Sequence, residues 1–189
     1  MILPRSFYAR DAVTVARDLL GKVLVHGDTS GKIVETEAYL GGDDLAAHTA
    51  RGITPRTRVI FGPPGHAYVY FIYGMYDCLN LVAEPEGKPG CVLIRALEPL
   101  TGLELMQQRR PAARLPRDVA SGPGRLTLAL AITRAQNGAD VTRGPLTVRT
   151  PPVTDSFEIE VTPRIGIRHC ADWPLRFAIK GNPNVSRRT

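Results

Sequence analysis

The chain has 189 residues, enough for one domain with a full core, and 24 basic against 18 acidic side chains give it a formal net charge of +6. It holds no window of about 18 consecutive apolar residues, so no transmembrane helix is expected, and Met1 to Tyr8 lack the apolar segment of a secretory signal. Cys78, Cys91 and Cys170 are odd in number and show no Cys-x-x-Cys spacing, and the histidines are scattered; a disulfide framework, a metal site or an iron–sulfur cluster is not expected, nor any cofactor.

Ala12, Val15, Ala16, Leu19 and Leu20 repeat at helical spacing, with Gly21 as a stop. Lys22 to Val25 and Lys32 to Ala38 read as strands joined by a turn over Gly27 to Gly31. Tyr39 to Gly65 is rich in Gly, Pro, Thr and Arg and reads as a long ordered loop, a segment type that often carries function. Ala67 to Tyr73 and Cys78 to Val82 are strand-like around a tight turn at Gly74-Met75, and Cys91 to Ala96 is a further strand. Helices are expected over Leu103 to Arg110 and Pro123 to Arg134, the second entered through Ser121-Gly122-Pro123. Leu146 to Arg149, Phe157 to Thr162 and Arg176 to Lys180 complete the strands. The class is α+β: one compact domain over residues 1–189, built on a curved antiparallel or mixed sheet or an open barrel with helices packed outside.

Arginine supplies twenty of the basic residues. That bias suits nucleic acid, where the guanidinium forks phosphate oxygens and stacks on flat rings, and it equally suits a GC-rich genome. Glu35 and Glu37 alternate along a strand and share one face, although acids are depleted in strands. They form either a solvated edge or a site in which a carboxylate orients and deprotonates water. Tyr68, Tyr70, Phe71, Tyr73 and Tyr76 form an aromatic run that is either hydrophobic core or a surface for bases, with Tyr73 and Met75 near a hairpin tip that could wedge between base pairs. Tyr39 and His48 flank the start of the long loop. Arg95 ends an apolar strand and needs a carboxylate partner. Arg125, in the first turn of a helix, lies where phosphate is attracted.

Taken together these residues resemble the alkyladenine (3-methyladenine or methylpurine) DNA glycosylases from about Phe7 to Ser186. The resemblance rests on the blocks Val34-Glu35-Thr36-Glu37-Ala38-Tyr39-Leu40-Gly41, Ala46-Ala47-His48, Thr54-Pro55-Arg56, Tyr68 to Tyr76, Leu93 to Pro99 and Ser121-Gly122-Pro123, in the family's order. It implies a base excision repair enzyme that flips damaged, alkylated or deaminated purines from double-stranded DNA and hydrolyses the N-glycosidic bond. The enzyme would be monofunctional, without lyase activity, and would leave an abasic site. By the same resemblance Glu37 is the general base, with Arg95 and the backbone carbonyl of Ile165 holding its water. Tyr39, His48 and Tyr70 wall the base pocket, where electron-rich rings would attract a cationic alkylated purine. Asn80 disfavours the exocyclic amino group of guanine, and Tyr73 fills the gap left by the extruded nucleotide. Asp77 departs from the pattern, which has an apolar or aromatic residue there, and an acid facing DNA would repel phosphate. Glu35 is expected to support the site. The protein is expected to be a cytoplasmic monomer, nucleoid-associated in a bacterium, with no membrane partner. Two alternatives stay open: a non-catalytic nucleic-acid binding module on the same fold, which has no use for Glu37, and a metabolic hydrolase built on Glu35 and Glu37, which has none for Tyr73.

Overall fold

The computed structural model describes residues 1–153 and 155–186. Eight strands run in chain order: β1 (Val23–His26), β2 (Thr29–Leu40), β3 (Ala67–Ile72), β4 (Tyr76–Val82), β5 (Gly90–Thr101), β6 (Leu146–Arg149), β7 (Ile159–Thr162) and β8 (Arg176–Ile179). The helices are α1 (Arg5–Tyr8), α2 (Ala12–Asp18), α3 (Leu103–Arg109) and α4 (Pro123–Ala129). All strand pairings are antiparallel and give one curled sheet of order β3-β4-β5-β2-β1-β6, with β8 added to β2 and β7 to β8. The expected α+β class, with a curved sheet and helices outside, is the fold observed.

The two long central strands organise everything else. β2 pairs with β5 along its whole length, while its other edge is shared: β1 takes the first part and β8 takes Glu35 to Glu37. Where the partner changes, the β2–β5 register passes from Ile33↔Leu97 to Glu35↔Ala96 and then to Thr36↔Ile94. Val34 and Arg95 are therefore left without direct cross-strand partners, one on each strand. Such paired irregularities bend strands and re-aim side chains.

The two faces of β2 have opposite environments. Val34, Thr36 and Ala38 point to the helices, where the Thr36 hydroxyl donates to the Ala16 carbonyl at 2.8 Å. α2 is positioned there by its apolar stripe of Ala12, Val15, Ala16, Leu19 and Leu20, all buried in the main core. Its start is capped twice, by Asp11 Oδ1 accepting from Thr14 N at 2.9 Å and by Glu84 Oε1 accepting from Ala12 N at 3.0 Å. Glu35 and Glu37 occupy the opposite face and are nevertheless 0 % exposed, which removes the solvated-edge reading.

Several expected boundaries shift. The first hairpin turns on Gly27-Asp28 alone, since His26 pairs with Thr29 and Thr29 to Gly31 already belong to β2. The helix expected to reach Arg134 stops at Ala129: Ala131 takes φ 53°, and Thr133 opens a separate 3₁₀ turn with a capping box to Gln136. The long loop starts after Leu40 and contains two 3₁₀ turns, His48–Arg51 and Arg58–Phe61. It is tied internally by Thr54 and Thr57, whose hydroxyls lie 3.0 Å apart, and by Thr57 donating to the Gly52 carbonyl at 3.0 Å.

One buried ion pair fastens this loop to the sheet. Arg164 Nη1 and Nη2 donate to Asp44 Oδ2 and Oδ1 at 2.7 and 2.8 Å, both side chains having no exposed area. Asp44 also accepts from the backbone N–H groups of Leu40 and Ala46, and Arg164 donates to the Ala38 carbonyl at 3.1 Å. The pair thus joins the end of β2, the loop and the segment after β7. Removing one partner of such a pair strands a buried charge, so Asp44→Asn should cost about 3–5 kcal/mol of stability. Urea unfolding should show the loss as a lower midpoint at unchanged slope; a variant as stable as the parent would show that the pair does not fasten the loop.

Candidate active site

A cavity of about 520 Å³ opens on the face of the sheet that carries the two glutamates. Its walls come from four places: the ends of β2 and β5, the hairpin of β3 and β4, the long loop, and the segments at Gly122 to Arg125 and Ile165 to Ile167. The volume falls in the range of small-molecule pockets, and the lining mixes rings with a few fixed polar groups.

Glu37 lies beneath this cavity, held by two hydrogen bonds and one ion pair. Ile165 N–H donates to Oε1 at 2.8 Å and the Tyr39 hydroxyl donates to Oε2 at 3.0 Å. Arg95 Nη1 stands 3.3 Å from Oε1. Burial, followed by the neighbouring Glu37 carboxylate, pushes the Tyr39 hydroxyl well above its ordinary pKa, so it stays a donor. A carboxylate offers about four acceptor positions, so two hydrogen bonds leave room for a further ligand. Ile165 touches Glu37 through its N–H; the role that the resemblance implies for its carbonyl, holding the water, concerns a different atom.

Glu35 is the hub behind Glu37. Its Oε1 accepts from Arg95 Nε at 3.0 Å, Arg176 Nε at 2.6 Å and the Ser186 hydroxyl at 2.8 Å, and its Oε2 accepts from Ser186 N–H at 2.7 Å. Arg95 is consequently shared between the two carboxylates. Burial works against its charge, but Glu37 and Glu35 outweigh that and raise its pKa. The supporting role expected for Glu35 has this geometry. Arg176 and Ser186 were not found in the sequence. Arg176 opens a short apolar strand and could have been flagged, like Arg95, as a charge needing a partner; Ser186 carries no sequence signal.

Tyr39, His48, Tyr70, Tyr73 and Tyr76 line the cavity, with the buried Tyr68 packed behind them. Tyr68 and Tyr70 lie 5.4 Å apart on one face of β3, and the His48 ring meets Tyr70 edge-on at 4.6 Å. His48 Nδ1 is 2.8 Å from the Tyr68 hydroxyl. Burial of the ring, then the Arg56 charge, lowers the His48 pKa to about 4, so the imidazole is neutral near pH 7. The unfolded chain takes up a proton at its ordinary value of 6.5, so stability linked to His48 is present above that pH and is lost as pH falls toward 4. Asn80, 3 % exposed, is fixed by its Nδ2 donating to the Tyr68 carbonyl at 3.2 Å.

The hairpin tip is the three-residue turn Tyr73-Gly74-Met75 between Ile72 and Tyr76. Tyr73 adopts φ 54°, a left-handed conformation that costs a non-glycine residue roughly 1–2 kcal/mol. Tyr73 and Met75 are 75 % and 61 % exposed, and Tyr73 reaches the cavity mouth whereas Met75 does not. Asp77 does not stand as a bare charge: Arg134 Nε lies 3.4 Å from its Oδ1, and the same guanidinium stacks 4.4 Å above Phe71. Arg125 lies at the cavity rim, but its Nη1 turns back to Ser121, 3.4 Å from the carbonyl and 3.3 Å from the hydroxyl. Among the described residues no cluster of three metal-ligating side chains is found.

The sequence pattern of methylpurine-DNA glycosylase (MPG) matches residues 6–183. A protein of Methanoculleus marisnigri named "Putative 3-methyladenine DNA glycosylase" is 55% identical over 194 residues, with 100% of both chains covered. Proteins of the same name from Methanocella arvoryzae and Legionella pneumophila are 52% and 45% identical, each comparison covering 96% or more of both chains. The match to the Methanoculleus marisnigri protein covers every residue of the cavity and its buried carboxylates. The chain belongs to the methylpurine-DNA glycosylase family, and so to the DNA glycosylases, hydrolases of DNA repair.

Proposed function

We propose that the protein flips damaged purines out of double-stranded DNA and hydrolyses the N-glycosidic bond with a water activated by Glu37, leaving an abasic site. The observation that carries this reading is a fully buried carboxylate, held by two hydrogen bonds and an ion pair, beneath a ring-lined cavity with room for a purine. Cleavage of the bond develops positive charge on the sugar. An anionic Glu37 beside it stabilises that charge, and its remaining acceptor position takes the proton from attacking water. Arg95 and Tyr39 hold the carboxylate in one orientation, so little rearrangement is needed at the moment of reaction.

A duplex hides its bases, and extruding one costs roughly a few kcal/mol. Tyr73 would fill the gap, a reading supported by its exposed position on a left-handed turn at the cavity mouth. Met75 beside it would lie against neighbouring base pairs. Tyr39, His48 and Tyr70 would stack on the extruded base, while Asn80 meets its edge. None of the four lysines lines the cavity, which supports water rather than an amine as nucleophile and a glycosylase without lyase activity. Arg125 would need to release Ser121 to reach a phosphate, so its part in DNA binding follows from position alone. A module that only binds nucleic acid has no use for a carboxylate so fully constrained, and the protein is taken to act as a monomer.

Single-turnover base release from a duplex carrying one hypoxanthine tests the reading. Glu37→Gln should slow release by about 10²–10⁴-fold while lesion binding persists; undiminished release would remove Glu37 from the mechanism. Tyr73→Ala should slow release roughly ten-fold, the scale of one lost stacking contact. Equal rates for this variant and the parent would remove the gap-filling assignment.

A further inference from the structure

Both rings expected to bracket an extruded base already carry a guanidinium. Arg164 lies 4.7 Å from the centroid of Tyr39, and Arg56 lies 5.0 Å from the centroid of Tyr70. Tyr39 and Tyr70 line the cavity and the two arginines do not, so each cation covers a part of its ring turned away from the cavity. The two differ in one respect. Arg164 is neutralised by its bidentate pair with Asp44. Arg56 has no carboxylate within ion-pair distance among the described residues; its Nε donates to the Tyr68 hydroxyl at 3.1 Å.

A cation draws on the negative face of an aromatic ring, and a second cation on the opposite face gains less from the ring and meets the first across it. We infer that Arg56 is a specificity-determining residue, biasing the pocket toward uncharged purine lesions and against those that carry a positive charge. The inference rests on the proposed reading, in which the base stacks on Tyr70. The balance of the other charges agrees with it. Glu35, Glu37 and Asp44 are matched by Arg95, Arg176 and Arg164 in direct ion pairs or shared hydrogen bonds, so the buried groups provide no surplus negative charge to receive a cationic base. Arg56 adds one uncompensated positive charge at the wall, and its field is felt inside, since it helps to lower the basicity of His48. Ring-lined pockets are expected to collect cations; in this one Tyr39 and Tyr70 already face a guanidinium each.

The test compares two lesions in otherwise identical duplexes at low ionic strength: hypoxanthine, which is neutral, and 7-methylguanine, which is cationic. Single-turnover release is measured for the parent, for Arg56→Met, which removes the charge, and for Arg56→Lys, which keeps it. Charge repulsion across one ring at an effective dielectric constant of about 20 corresponds to roughly a ten-fold effect on rate. Arg56→Met should therefore raise the ratio of 7-methylguanine to hypoxanthine release about ten-fold, while Arg56→Lys should stay near the parent ratio. Taking a ratio within each protein cancels any general loss of DNA affinity or fold. An unchanged ratio in Arg56→Met overturns the inference, and an equal slowing on both lesions does so by making Arg56 a backbone contact. Release of neither base by the parent overturns the glycosylase mechanism itself, and with it the inference.

Discussion

Two carboxylates and two guanidinium groups sit on one dry face of the sheet, and the rest of the site is built around them. Glu35 and Glu37 have no exposed surface, and Arg95 and Arg176 almost none. Burying such charges costs several kcal/mol per ion, and an apolar replacement of the same shape is often as stable or more so. The cluster is therefore poorly explained as a stability device. It is well explained as a means of holding one carboxylate in a fixed place and orientation. Glu35 absorbs four hydrogen bonds so that Arg95 stays aligned, and Arg95 in turn leans on Glu37. The strand irregularity that leaves Val34 and Arg95 without cross-strand partners puts the guanidinium on the carboxylate side of the sheet.

The cavity above this cluster is assembled from segments distant in sequence, and each is tied down by its own polar contacts. The Asp44–Arg164 pair fixes the loop and brings Ile165 N–H onto Glu37. The final described residues return to the centre, where Ser186 closes the hydrogen bonding of Glu35. The wall that faces a ligand is aromatic, but arginines behind Tyr39 and Tyr70 make it less electron-rich than the rings alone suggest. Near the mouth, Arg134 balances the Asp77 carboxylate while covering Phe71, so a charged pair and a stacked guanidinium lie beneath the hairpin.

Much of this was legible in the sequence because it depends on local alternation. The pattern Val34-Glu35-Thr36-Glu37-Ala38 placed both acids on one face, and the structure adds that this face is buried. Tyr68 and Tyr70 on a common face, the hairpin tip at Tyr73, and Arg95 as a charge in search of a carboxylate all follow from the same rule. What sequence could not give is pairing across long separations. Nothing local marks Ser186 as a partner of Glu35, or Asp44 as a partner of Arg164. The helix predicted to continue to Arg134 failed for a different reason: Ala131 is a good helix former by type, yet it takes a left-handed conformation, which no local pattern announces. The sequence blocks around Glu37, His48 and Tyr70 carry the family resemblance, whereas a role for Arg56 rests on its distance to Tyr70.

The central claim is that Glu37 faces the glycosidic carbon of an extruded purine with a water between them. A crystal structure of the Glu37→Gln variant bound to a duplex with a single hypoxanthine addresses it directly. The account predicts the hypoxanthine inside the cavity, stacked against Tyr70 and His48, Tyr73 in the vacated stack, and an ordered water bridging residue 37 and the sugar C1′. A base still paired in the duplex, or one in the cavity with its sugar turned away from residue 37, would contradict it.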